Sequence, residues 1–330
     1  MMRDYEIIAT LGPASDVEAA WTSLLAAGAT SFRLNTSHLD LEQLWAWLER
    51  LVPFLDAQQP RPAIVLDLQG SKWRLGRFPS LELFEGQTIE LVLASSTNLP
   101  DHLPVPHPDF FQAALLSSPE LRLNDAKVQL RVEAVANNNL RARVTHGGPL
   151  SAHKGITYLE SDFRSETLSE KDQEIIRQTK NLPAIRYAIS YLRDAAEMHQ
   201  YRTRLGKQTY LIAKLERAPA MMEVDQIASD ADELWVCRGD LGAELGLLGM
   251  AQAVYTLSQR VHKLNRPVMM AGQVLEHMTN ATTPTRAEVC AIYDALALGY
   301  GGFVLSDETA IGRSPVDACQ TAAIFRNGGS

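Results

Sequence analysis

Short apolar runs rich in β-branched residues alternate with segments of helical period along most of this chain, and that alternation restricts the fold more than any other feature. The runs predict strands at Glu6–Leu11, Ser31–Leu34, Ala63–Asp67, Ile185–Ile189, Thr209–Lys214, Glu233–Cys237, Pro267–Met270 and Gly302–Leu305. The helical period predicts Val17–Ala27, Leu41–Leu55, Ser169–Lys180, Asp194–Leu205, Ala220–Ala228, Gly249–Leu264, Arg286–Leu298 and Pro315–Phe325. Asp16 reads as an N-cap, Gly28 as a C′ stop and Ser169 as a capped start. Continuously apolar strands separated by helices belong to parallel sheets whose faces the helices cover.

The rhythm breaks once. From about Leu75 to Leu159 the chain reads as turn-punctuated β segments: Thr88–Ala94, Leu121–Leu123, Lys127–Ala136 and Leu140–Thr145. Asn137-Asn138-Asn139 and Gly147-Gly148-Pro149 supply turns, and the proline-rich Asn98–Pro108 reads as irregular. Setting aside ~85 residues leaves ~245, near the ~250 typical of a (β/α)8 barrel. An open doubly wound sheet of eight strands fits the same count.

Charge and composition narrow the partners. The 31 basic and 39 acidic side chains give a net charge of −8, which offers no general footprint for nucleic acid or an anionic membrane. No apolar stretch approaches the ~18 residues of a bilayer span. The charged start, Met1-Met2-Arg3-Asp4, lacks a signal-peptide core. Cys237, Cys290 and Cys319 cannot all pair, so a reduced, cytoplasmic protein with structural cysteines is expected.

In a barrel, chemistry gathers where strands run into helices. The second predicted strand runs out into Arg33-Leu34-Asn35-Thr36-Ser37-His38 and the third into Asp67 and Gln69-Gly70-Ser71-Lys72. The fourth ends in Ser190-Tyr191-Leu192-Arg193, the fifth in Lys214-Leu215-Glu216, the sixth in Arg238-Gly239-Asp240 and the eighth in Ser306-Asp307-Glu308-Thr309. Glu216 and Asp240 come from neighbouring strands and offer two carboxylates to a hard cation such as Mg²⁺. Lys214 points to the same side as Glu216 and supplies a fixed positive charge for a migrating phosphoryl group or an enolate. Gly239 lets a carboxylate approach backbone N–H groups. Other than His38, the histidines considered (His102, His107, His199, His262 and His277) read as surface or packing residues, as do Trp45 and Trp47. Neither a P-loop nor a dinucleotide fingerprint is present.

In order and spacing these motifs resemble the pyruvate kinase family over nearly the whole chain. They are Ile8–Ser15, Arg33–His38, Leu66-Asp67 with Gly70 and Arg74, Leu168–Asp172, Ile212–Glu216, Arg238–Gly242, Pro284–Glu288, and Leu305-Ser306 with Glu308-Thr309-Ala310. The resemblance implies a (β/α)8 TIM barrel, residues 1–74 and 160–330, carrying a small β-rich lid, residues 75–159, after the third strand. It implies Mg²⁺ or Mn²⁺ on Glu216 and Asp240, and Lys214 and Arg33 as catalytic charges. Gly239, Asp240, Gly272 and Ser190 fall to the substrate, and Arg33, His38 and Lys154 to the nucleotide, ADP or ATP. Asn35, Ser37 and Asp67 surround the monovalent-cation position. The implied partners are therefore a phospho-acid or 2-oxo acid and a nucleotide; a homo-oligomer stays open.

Departures from the family pattern carry equal interest. Where the family has Thr-Lys-Gly-Pro-Glu after the aspartate, this chain has Leu68-Gln69-Gly70-Ser71-Lys72, and an ammonium at Lys72 in place of bound K⁺ predicts K⁺ independence. Gly272 stands where the family carries a threonine that binds the carboxylate and helps deliver the proton. Loss of such a group costs ~10²–10⁴-fold, and restoring threonine is expected to raise kcat. Asp307 replaces a glycine. The chain stops after the eighth helix, so the family's C-terminal regulatory domain is expected to be absent. These departures support an alternative, a superfamily member repurposed as a 2-oxo acid decarboxylase or an aldolase/lyase. A non-enzymatic phospho-metabolite sensor is disfavoured by the full set of charges.

Overall fold

Eight parallel strands close into a barrel in the computed structural model, which describes residues 4–124, 126–158 and 168–326. The first three are β1 (Glu6–Thr10), β2 (Ser31–Asn35) and β3 (Ala63–Leu68). The insert follows with β4 (Leu81–Leu83), β5 (Thr88–Val92), β6 (His102–Pro104), β7 (Glu120–Leu123), β8 (Val128–Ala136), β9 (Asn139–His146), β10 (Gly148–Leu150) and β11 (Ile156–Tyr158). The barrel resumes with β12 (Ile185–Ile189), β13 (Tyr210–Leu215), β14 (Glu233–Cys237), β15 (Val268–Ala271) and β16 (Gly302–Leu305). Strand order around the ring is β1-β16-β15-β14-β13-β12-β3-β2, and pairing of β1 with β16 excludes the open sheet.

The barrel's interior follows from the two-residue period of its strands. Ile8, Val65, Ala188, Ile212, Trp235, Met269 and Val304 pack together as an apolar layer, with Trp235 its largest member. Two residues further on from the apolar layer come Thr10 of β1, Asp67 of β3, Ser190 just after β12 and Lys214 of β13, all buried. The strands thus change from apolar to polar in register, and the polar layer lies at their C-terminal ends. At the opposite end Arg186 pairs with Glu6 at 3.0 Å and Glu233 at 3.2 Å. Glu233 also accepts from Tyr210 Oη and Trp235 Nε1, so this buried carboxylate is fully engaged in holding strands together.

The chain divides into two compact units, one comprising Met1–Gln69, Glu170–Arg238 and Gln252–Ser330, the other Gly70–Ser169 and Gly239–Ala251. Within the second unit β11-β7-β8-β9-β5-β6 form one sheet and β10-β4 another. Trp73, Phe110 and Tyr158 fill its core, with ring centroids 5.0–5.8 Å apart, and Trp73 Nε1 donates to Asp109 at 3.0 Å.

Several local expectations are corrected. Asp16 does not cap the first helix: its carboxylate pairs with Arg50 at 2.9 Å, and the helix Glu18–Ala26 starts from Val17 with no side-chain cap. The stretch read as irregular contains β6 and leads directly into a short helix, Pro108–Ala113. The helix predicted at Ala220–Ala228 is two, Ala218–Met222 and Val224–Asp230. The one predicted at Gly249–Leu264 instead begins at Arg238 and ends at Ser258, broken only at Gly246, whose φ is 71°. The expected junction at residues 159–160, the first three residues and the tail Asn327–Ser330 lie outside the described residues. Among the described residues no helix is long and apolar enough to cross a membrane.

Candidate active site

The polar layer of the barrel is one connected ionic network. Asp67, 1% exposed at the end of β3, stands at its centre. Arg33 on β2 donates to Asp67 Oδ2 through Nε at 2.8 Å and Nη2 at 2.5 Å, and through Nη1 to Thr10 Oγ1 at 2.8 Å. Lys214 on β13 places Nζ 3.2 Å from both Asp67 oxygens, 2.8 Å from Ser190 Oγ and 2.9 Å from Glu216 Oε1. Ser190 Oγ donates to Asp67 Oδ1 at 2.9 Å, and Tyr191 N–H donates to Glu216 Oε2 at 2.5 Å.

Two cations against two carboxylates make the network neutral, which lets it persist in a buried layer. Burial alone would raise the pKa of Asp67, but Lys214 and Arg33 outweigh it and hold the carboxyl at about 2. Burial likewise works against the charged form of Lys214, yet Asp67 and Glu216 carry its pKa above the ordinary lysine value. Lys214 is therefore a permanent ammonium at neutral pH.

The turn after β2 is fixed from beneath. Ser37 N–H donates to Asn35 Oδ1 at 3.2 Å, and Thr36 Oγ1 donates to the Asp67 carbonyl at 2.8 Å. Lys171 Nζ reaches the carbonyls of Thr36, at 2.5 Å, and Leu39, while the neighbouring Asp172 accepts from Gln69 N–H at 3.1 Å. One helical turn thereby holds the exits of both β2 and β3. His38, in the turn after β2, is exposed, its N–H donating to the Asn35 carbonyl at 3.1 Å.

On the other flank, Arg238 donates from Nε to the Gly272 carbonyl at 3.0 Å and from Nη2 to the Gln273 carbonyl at 2.8 Å. Both residues have left-handed backbones, with φ of 75° and 56°. Glu308, 2% exposed, accepts from Leu275 N–H at 2.9 Å and from Ser306 N–H at 2.6 Å, joining the exits of β15 and β16; burial pushes its carboxyl pKa up. Asp307 is exposed at the start of the helix Asp307–Ala310.

In the second unit, Asp240 sits in the first turn of Arg238–Ser258, whose N-cap Cys237 makes no side-chain cap hydrogen bond. Lys72, 5% exposed, pairs with Asp240 Oδ1. Lys154 is half-buried, its carbonyl accepting from Leu75 N–H at 2.9 Å.

Of the residues expected at the site, Arg33, Asp67, Ser190, Lys214 and Glu216 form a single network, and Asn35 and Ser37 belong to the turn beside it. Sequence reasoning missed Thr10, Arg238 as a brace for the Gly272 loop, Glu308 as a bridge and the clamp made by Lys171 and Asp172. For Thr10 the signal was available: it is the C-terminal residue of a strand whose inward neighbour, Ile8, is apolar. For the backbone braces no signal exists in sequence, because their partners are carbonyls and N–H groups that every residue carries.

The family described as "Pyruvate kinase, barrel domain" matches residues 2–319 of the chain. A pyruvate kinase of Mycobacterium tuberculosis is 33% identical over 326 residues, covering 97% of this chain and 69% of that protein. One from Methylorubrum extorquens is 33% identical, with 97% and 67% covered, and one from Thermococcus litoralis is 31% identical, with 96% and 68% covered. With the closed barrel, the β-rich insert after β3 and the charged layer at the strand ends, these matches make the chain a member of the pyruvate kinase family of phosphotransferases.

Proposed function

We propose that the chain transfers the phosphoryl group between phosphoenolpyruvate and ADP, yielding pyruvate and ATP. The observation that carries this reading is Lys214, an obligate ammonium held by Asp67, Ser190 and Glu216 at the C-terminal ends of the barrel strands. Its charge is already oriented before substrate arrives, which is the condition for electrostatic catalysis. Arg33 presents a second cation whose fork is fixed by Asp67 and Thr10. Asp67 acts through these two cations as a positioning residue. Gly239 and Asp240 stand in the first turn of the helix Arg238–Ser258, where backbone N–H groups and the helix dipole suit a substrate carboxylate.

A divalent ion, Mg²⁺ or Mn²⁺, fits the donor chemistry. Glu216 and Asp240 provide hard anionic oxygens, and each already holds an ammonium as a stand-in cation, Lys214 and Lys72 respectively. When bound, such an ion neutralises phosphate oxygens. Tyr191 N–H fixes Glu216 Oε2, while Oε1 faces the Lys214 ammonium. Among the described residues no three His, Cys, Asp or Glu gather, in keeping with a site that relies on one or two carboxylates together with water and substrate.

The decisive assay combines the chain, Mg²⁺, phosphoenolpyruvate and ADP and follows pyruvate. Turnover is expected, undiminished when Na⁺ replaces K⁺, because Lys72 supplies the charge of the monovalent ion; a strict K⁺ requirement would remove Lys72 from that role. No turnover, with metal and a 2-oxo acid still bound, would favour the decarboxylase or aldolase/lyase reading, which the hydroxyl-free Gly272 supports. The left-handed backbone at Gly272 also reverses the expectation for restoring threonine there. A β-branched residue at such a φ costs ~1–3 kcal/mol of strain. Gly272→Thr is expected to lower the unfolding midpoint and leave kcat unimproved, and a faster enzyme of unchanged stability would contradict this.

A further inference from the structure

We propose that Lys72 is a tethered counter-ion that occupies Asp240 until a divalent cation displaces it, so that metal binding and release of this ammonium are one exchange. The inference rests on the reading of Asp240 as a metal ligand and adds what holds that carboxylate beforehand. Lys72 Nζ contacts Asp240 Oδ1 across 168 positions of sequence, with the lysine side chain 6% and the aspartate side chain 15% exposed. So buried a carboxylate needs a positive partner at all times.

The path of Lys72 is shaped for this position. A Cβ added at Gly155 would lie 2.9 Å from Nζ and closer still to Cε, so the absence of a side chain at Gly155 makes room for the end of the lysine. Arg122 Nη1 donates to the carbonyls of Gly242, at 3.4 Å, and Ala243, holding the backbone just beyond Asp240. The carboxylate is thereby anchored on a braced helix, whereas the ammonium ends a flexible four-carbon stem. In an exchange the lysine is the partner that moves. A divalent ion brings twice the charge and prevails, but its apparent affinity is lowered by the work of evicting the ammonium. The released charge is then free for the role of the monovalent ion.

Titration of the full-length chain with Mn²⁺ alone, counting free Mn²⁺ by its paramagnetic resonance, tests the exchange without turnover. Lys72→Met removes the competitor and is expected to tighten Mn²⁺ binding by on the order of tenfold or more. Gly155→Ala keeps the lysine but pushes its end off Asp240, and the same direction is expected; it provides the test should Lys72→Met fail to fold. Asp240→Asn separates the two layers of argument. If Asp240→Asn abolishes Mn²⁺ binding while Lys72→Met and Gly155→Ala leave the affinity unchanged or weaker, the exchange is overturned and the metal reading stands. If Asp240→Asn binds Mn²⁺ as the wild type does, the metal reading falls and the exchange falls with it.

Discussion

Lys214→Met is expected to reduce kcat/KM for pyruvate formation by ~10³-fold or more, the range seen when a preorganised charge is removed from the reacting centre. Methionine keeps most of the volume and none of the charge. The same change leaves Glu216 Oε1 without its ammonium and Asp67 with Arg33 as its remaining cation partner in the network. Breaking a buried pair from one side typically costs ~3–5 kcal/mol, so stability must be measured alongside rate. Initial rates corrected for the folded fraction, taken from denaturant unfolding, separate the effects. If the folded variant turned over at the wild-type rate, Lys214 would be structural only. Lys214→Arg, which restores charge without the compact ammonium, is expected to recover stability more fully than rate.

Asp67→Asn is expected to cost stability on the same scale, ~3–5 kcal/mol at neutral pH, because it leaves Arg33 and Lys214 buried with one carboxylate between them. Its pH dependence gives the sharper check. The folded-state pKa of Asp67 is depressed from 3.8 to about 2, so its stabilisation is complete above pH ~4 and disappears as the pH falls through 2. That shift corresponds to ~2 kcal/mol. The gap in urea-unfolding stability between wild type and Asp67→Asn should therefore shrink as pH falls from 4 toward 2. A gap that stays constant over this interval would show that Asp67 is not the ionised centre of the network.

Most of the barrel is legible in the sequence because its strands are buried on both faces and its helices are periodic. Glu233–Cys237 and Gly302–Leu305 are predicted to the residue, since each is a short apolar run bounded by polar or glycine-rich turns. The errors arise where a local signal meets a competitor elsewhere in the fold. Asp16 has the chemistry of an N-cap but finds Arg50, which sits 34 positions later. Arg238-Gly239-Asp240-Leu241-Gly242 reads as a loop because glycine disfavours helix by ~1 kcal/mol, yet in the structure the segment is helical and the break falls at Gly246. At the site, residue types and spacing identified the charged members of the network. They did not reveal that Lys72 holds Asp240, because a salt bridge spanning 168 positions leaves no local trace.

The two ends of the barrel are built differently. At one rim Glu6, Arg186, Tyr210 and Glu233 lace four strands together, and an apolar layer that includes Trp235 separates that lacing from the strands' C-terminal ends. Gly272 and Asp307, two of the positions where this chain parts from the family pattern, both follow strands at the opposite, C-terminal rim. A chain of this family can therefore differ in the loops that follow its strands while the fastening at the far rim goes on specifying the same fold.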